Sequence, residues 1–217
     1  SDCPLQADVE ALSDTSVRIA LDQLNYVLTC LAWQTRYPKM RAIFVEKDPT
    51  AFRTLQTMLD QHRGAIETTA LAGRFEDNIA IILQEVGKSF AFFFIDPKGW
   101  SGFAMERITP VLRHRPGEVM VNFMYDFINR FINFPDAATE RSLDQFFGTT
   151  TWRDIRNTSD REAASLECYK ERIRTIGGYT YVTSTRILKP LSNRAYFHLV
   201  YATRNPKGIT KFREVEK

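Results

Sequence analysis

The stretch SFAFFFIDPKGWSGF, residues 89–103, decides how the rest of the chain is read. FAFFFI (90–95) is apolar at every position, without the polar alternation of a strand that has one wet face. It predicts a central parallel strand covered by helices on both sides. The run stops abruptly at Asp96-Pro97, and a carboxylate at the end of a dry strand must be solvated at a cleft or hydrogen-bonded. Pro97 fixes the turn and removes a competing donor, Gly99 and Gly102 allow close backbone approach, and Trp100 offers a flat wall to a substrate. Asp96 is therefore read either as a functional acid, with Pro97 and Trp100 beside it, or as the cap of the helix that follows.

Outward from this strand, helices and strands alternate. Upstream, Val17, Ala20, Leu21, Leu24, Val27, Leu28 and Leu31 recur at helical spacing behind the capping residues Ser13, Asp14 and Thr15. RAIFVE (41–46) reads as a strand, and Asp48-Pro49 opens a helix whose apolar side is Phe52, Leu55, Met58 and Leu59. AIETTAL (65–71) is a strand, and Phe75, Ile79, Ile82, Leu83 and Val86 form a helix stripe. Downstream, a helix is expected from about Gly102 to Leu112, then a strand over GEVMVNFM (117–124) that YDFINRFINF continues into a helix or lid. Residues 160–176 give another amphipathic helix. YTYVTSTRILK (179–189) and AYFHLVYATR (195–204) are β-rich runs joined by PLSN, a link short enough to permit only antiparallel pairing. Repeated β-α alternation predicts an α/β fold with a mostly parallel sheet. A parallel sheet finished by an antiparallel hairpin is the plan of Rossmann-like methyltransferases. The chain of 217 residues is expected to form one domain.

Composition narrows the function classes. Hydrophobic content of 44% with 25% charged residues is ordinary for a globular domain, and no apolar run reaches membrane-spanning length. Cys3, Cys30 and Cys168 are widely separated and odd in number, and His62, His114 and His198 are equally scattered. They suggest neither a metal centre nor a disulfide framework, and a reducing cytoplasm is the expected compartment. The net charge of +3 is unevenly placed: residues 1–150 carry 15 Lys/Arg against 19 Asp/Glu, and residues 151–217 carry 14 against 7. The basic last third reads either as a face for a polyanion such as nucleic acid or as a solvated surface.

In open α/β sheets ligands bind beyond the carboxyl ends of the strands. Glu46 ends one strand, where an acid can accept from both ribose hydroxyls of a nucleoside cofactor; a solvated Glu before a helix cap is the alternative. In GRFEDN (73–78), Glu76 or Asp77 can accept the amino hydrogens of an adenine, and ordinary N-capping explains the same residues. Asn122, Tyr125, Asn129 and Arg130 form a polar set beyond the strand at 117–124. Arg130 suits a phosphate or carboxylate, or a structural ion pair.

With these residues in view, the chain resembles the three-Cys-motif partner (TcmP) family of bacterial proteins. The matching segments are AIFVEKDPTAF, FFFIDPKGWSGF, RPGEVMVNFMYDFINRF and YFHLVYATRNPKGI, which together span most of the chain. The resemblance implies the fold of S-adenosylmethionine-dependent methyltransferases, S-adenosylmethionine as cofactor, and a three-Cys-motif protein as partner. It places Glu46 on the ribose acid and Asp96-Pro97 on the methyltransferase DP element, although IDPKGW departs from the DPPY form of amino-methyltransferases. It also implies a glycine-rich first strand ahead of SVRIALDQL. No glycine precedes Gly64, so an upstream piece is expected, and with it a gap in the sheet between the strands at 41–46 and 90–95. The remaining expectation is an Asp96 partly exposed at the cleft mouth, on the same side as Glu46. A non-catalytic interaction module with this fold, holding a protein or nucleic acid through its basic third, is the other reading.

Overall fold

The computed structural model describes residues 15–97, 103–134, 136–189 and 195–216. In chain order these form α1 (Ser16–Trp33), β1 (Arg41–Glu46), α2 (Pro49–Gln61), β2 (Glu67–Ala72), α3 (Phe75–Val86) and β3 (Ala91–Ile95). There follow α4 (Met105–Arg113), β4 (Gly117–Phe123), α5 (Tyr125–Phe131), α6 (Ala137–Phe147) and a 3-10 helix (Thr151–Asn157). The chain ends in α7 (Arg161–Gly177), β5 (Tyr181–Leu188), β6 (Ala195–Thr203) and α8 (Pro206–Val215). The protein is α/β.

Local chemistry explains the starts of these elements. Thr15 accepts from the Arg18 N–H and caps α1. Asp48 Oδ1 accepts from the N–H groups of Thr50 (2.9 Å) and Ala51 (2.8 Å), with Pro49 in the first turn, where its missing donor costs nothing. The sequence reading did not anticipate α6, the 3-10 helix or α8. Even so, α6 starts on Asp136 and α8 on Asn205-Pro206, with both side chains accepting from first-turn N–H groups.

The chain divides into two compact units, one ending at Asn78 and the other beginning at Ile79. In the first, β1 and β2 pair in parallel from Arg41↔Glu67 to Glu46↔Ala72. Leu21, Met58, Leu59 and Ile66 make its core, with Phe44, Leu55 and Ala70 packed on them.

The second unit holds a four-stranded sheet in the order β3-β4-β6-β5. β3 and β4 are parallel, while β6 runs antiparallel to both its neighbours, so β5 points the same way as β3 and β4. The antiparallel pairing of the two C-terminal runs is as expected; their connecting turn lies outside the described residues. β1 and β3, the strands expected to flank a gap, belong to separate sheets.

Alternation sends Val119, Val121 and Phe123 to one face of this sheet and Glu118, Met120 and Asn122 to the other. On the first face Val119, Val121 and Phe123 are fully buried. Phe123 meets a block of Phe146, Phe147, Trp152 and Tyr169, in which Phe146 stacks on Tyr169 (4.9 Å) and Phe147 on Trp152 (6.2 Å). On the second face α8 lies against β6 and β5, with Tyr201 stacked on Phe212 at 5.0 Å. Arg204, just past β6, donates to the carbonyls of Leu112 (2.9 Å), His114 (3.3 Å), Gly117 (3.0 Å), Gly177 and Gly178 (3.2 Å). Its guanidinium also lies 4.0 Å from the Tyr179 ring centre.

One expectation is corrected. FAFFFI is not covered on both faces: Phe93 and Ile95 are buried, but Phe92 and Phe94 remain 50% and 55% exposed. β3 ends the four-stranded sheet, and α8, the helix against β6 and β5 on the Phe92 and Phe94 side, lies over the other end of the sheet.

Candidate functional site

The parallel register of β3 and β4 runs to Ile95↔Val121, which brings the next residues, Asp96 and Asn122, side by side at the carboxyl ends of both strands. Asn122 Nδ2 donates to Asp96 Oδ1 at 2.6 Å. Asp96 is exposed, whereas Asn122 is only 8% exposed and its Oδ1 has no partner among the described residues. Asp96 does not cap the following helix. That helix, α4, begins at Met105 with Ala104 in the cap position, and no side chain among the described residues caps it. Pro97 is half-buried. Trp100, with Lys98, Gly99 and Gly102, lies outside the described residues.

The polar set expected beyond β4 is divided among three places. Asn122 goes to Asp96. The Tyr125 ring meets His198 edge-on at 6.4 Å, and burial first, then Glu162 and Asp160, push its phenol pKa up. His198 is 4% exposed, with Nε2 3.2 Å from Glu162 Oε1, and the same carboxylate oxygen lies 2.7 Å from Arg186 Nε. Burial holds the imidazole pKa below the ordinary histidine value despite the pull of Glu162. Tyr125 and Asn129 face Thr158, Ser159, Asp160 and Glu162 across a polar pocket of about 620 Å³. Arg130 takes the ion-pair reading: it bonds to Asp126, a buried acid that also receives Lys189 Nζ at 2.7 Å. Burial raises the Asp126 pKa, but the bonds from Lys189 and Arg130 outweigh it and leave the carboxyl below its ordinary value.

In the first unit, Glu46 sits half-buried at the end of β1. Its Oε1 accepts from the Asp48 N–H at 2.8 Å, which leaves the second oxygen for another donor. Glu76 and Asp77 occupy the first turn of α3, where the helix dipole favours acids. The loop before them is pinned by Asn78 Nδ2, which donates to the carbonyls of Ala72 (3.1 Å) and Arg74 (2.9 Å). Glu46 therefore fits a ribose contact through one oxygen, and Glu76 and Asp77 have helix-start roles that require no ligand.

Glu162, Arg186, His198, Asp126 and Lys189 were not picked out from the sequence. Alternation along AYFHLVYATR does place His198 with Val200 and Ala202 on the core side, so a buried histidine was legible, but its partners on α7 and β5 were not. No protein-family model matches the chain, and no curated protein matches it.

Proposed function

We propose that the protein is an S-adenosylmethionine-dependent methyltransferase of the three-Cys-motif partner type, with a Rossmann-like plan. The observation that carries this reading is the strand order β3-β4-β6-β5, with the reversed strand inserted ahead of the last parallel one. Asp96 at the carboxyl end of β3 stands where such sheets bind ligands. When bound, the cofactor supplies a methyl group on a sulfonium that is already a strong electrophile, so the protein contributes chiefly positioning. Taken unit by unit, Glu46 in the first would hold the ribose through its second oxygen, and Asp96 in the second would orient the nucleophile or take its proton.

Calorimetry on the full-length protein tests the reading. S-adenosylmethionine should bind, and Glu46→Gln should weaken that binding by about 1–3 kcal/mol, the cost of losing a charge-assisted acceptor. Absence of binding removes the methyltransferase reading; binding unchanged in the variant returns Glu46 to its local bond with Asp48.

A further inference from the structure

The turn that leaves α1 carries the most exposed rings among the described residues. Trp33, the last residue of the helix, is 83% exposed, and Tyr37 is 77% exposed. The backbone that holds them is fixed. The Arg36 N–H bonds to the Leu31 carbonyl and the Thr35 N–H to the Ala32 carbonyl, both at 2.9 Å, which closes the helix end. Thr35 sits there at φ 58°, a left-handed conformation that β-branched residues rarely adopt and that glycine usually fills. Pro38 then restricts Tyr37 to extended backbone, and Met40 packs on the core of the unit. Two large rings are thus presented to water on a fixed turn, with little ordering left to lose on binding.

The charge around these rings has one sign. No acid occurs between Asp22 and Glu46, while Arg36, Lys39 and Arg41 fall at the turn. Arg41 pairs with Glu67 at 3.3 Å. Arg36 and Lys39 are exposed and meet no acid among the described residues. Exposed rings beside unpaired cations are the two parts with which proteins hold an unpaired strand, bases lying on the rings and phosphates on the cations. We infer that this turn binds single-stranded nucleic acid, with bases on Trp33 and Tyr37 and phosphates on Arg36 and Lys39. Tyr26, two turns back on the Trp33 face of α1 and 66% exposed, extends the line of rings. Other partners fit less well. Lysine is depleted in protein interfaces. A lipid surface needs a continuous apolar face, whereas the exposed Gln34, Thr35 and Arg36 separate the two rings. Neither Glu46 nor Asp96 takes part, so the binding is independent of the methyltransferase reading.

Fluorescence anisotropy on the full chain, without cofactor, tests this with a labelled thymidine strand of about twelve nucleotides, within the usual site size. The strand should bind about tenfold more tightly than its duplex with adenosine, in which the base faces are hidden. Trp33→Ala and Tyr37→Ala should each weaken binding about tenfold, or about 1.4 kcal/mol, at unchanged thermal midpoint. Arg36→Gln and Lys39→Gln should each lower the slope of log affinity against log salt by about 0.7. Val27→Ser, about a third of the way round α1 from Trp33 and also exposed, should leave binding as it is. No binding at low salt overturns the inference. Equal binding of strand and duplex does so too, since charge alone would then act. A loss in Val27→Ser as large as in Trp33→Ala overturns it in favour of an apolar protein-docking face. Trp33-dependent binding to phosphatidylserine vesicles but not to the strand overturns it in favour of a lipid surface. If Trp33→Ala does not fold, Tyr37→Ala and Arg36→Gln, both beyond the helix, still decide the matter. Failure to bind S-adenosylmethionine would remove methyl transfer and leave this binding standing.

Discussion

Arg204 gathers five backbone carbonyls around one guanidinium, drawn from the end of α4, the start of β4 and the end of α7. A lysine offers three donors from a single point and cannot reproduce the fork. Arg204→Lys is expected to cost about 2–4 kcal/mol, since several carbonyls lose their partner at once. The measurement is the midpoint of a denaturant titration at unchanged slope. Asp96 is the opposite case. It is exposed, so Asp96→Asn should keep stability within about 0.5 kcal/mol and lose function instead. An unfolded variant would make it a structural acid, and a fully active one would remove its chemical role. The sequence singles out Asp96 because a charge that ends an apolar run is conspicuous in one dimension. It hides Arg204, because backbone carbonyls carry no residue identity to read.

Helix α8 touches the sheet through Gly208. A methyl group there would come within 2.5 Å of the Tyr201 hydroxyl, 2.8 Å of Glu118 Oε1 and 2.9 Å of Thr203 Oγ1. These three are already bonded to one another, Tyr201 to Glu118 at 2.7 Å and Thr203 to Glu118 at 2.6 Å. Alanine would gain about 1 kcal/mol of helix propensity. Overpacking against this bonded group costs about 1–3 kcal/mol. Gly208→Ala is therefore expected to lower the melting temperature, and a rise would mean that the group shifts without loss. Elements with a capping signal and a periodic stripe, such as α1 and α2, were legible in the sequence. The burial of β3 was not. Six apolar residues in a row look the same whether helices cover one face or two, and only the sheet order shows that Phe92 and Phe94 lie at the end that α8 does not cover.

Across the whole molecule, much of the basic last third is matched locally. Lys170, Arg174, Lys211 and Arg213 pair with acids three residues on or back, and Arg186 and Lys189 pair across elements with Glu162 and Asp126. The second unit also carries an acid-sensitive point. Burial, with Arg186 and Lys170 nearby, depresses the His198 pKa against the pull of Glu162. The unfolded chain therefore binds a proton where the folded one does not. Stability is full above the ordinary histidine value and falls as the pH drops from there through the folded-state value. Between about pH 7.5 and about pH 5.5 the wild type should lose more stability than His198→Gln, as read by denaturant titration at each pH. Equal losses would place the sensitivity elsewhere. The position of β6 bears on how the chain reaches this state at all. The strand translated last lies between two made earlier, with Val119 paired to Ala202. A nascent chain thus leaves the ribosome with one edge of β4 open and β5 without any partner until residues 195–203 emerge. Long-range closure of this kind slows folding and prolongs the exposure of sticky edges. A chain stopped at residue 194 should show no protection from amide exchange in β5, because the order of synthesis leaves that strand waiting for one that never arrives.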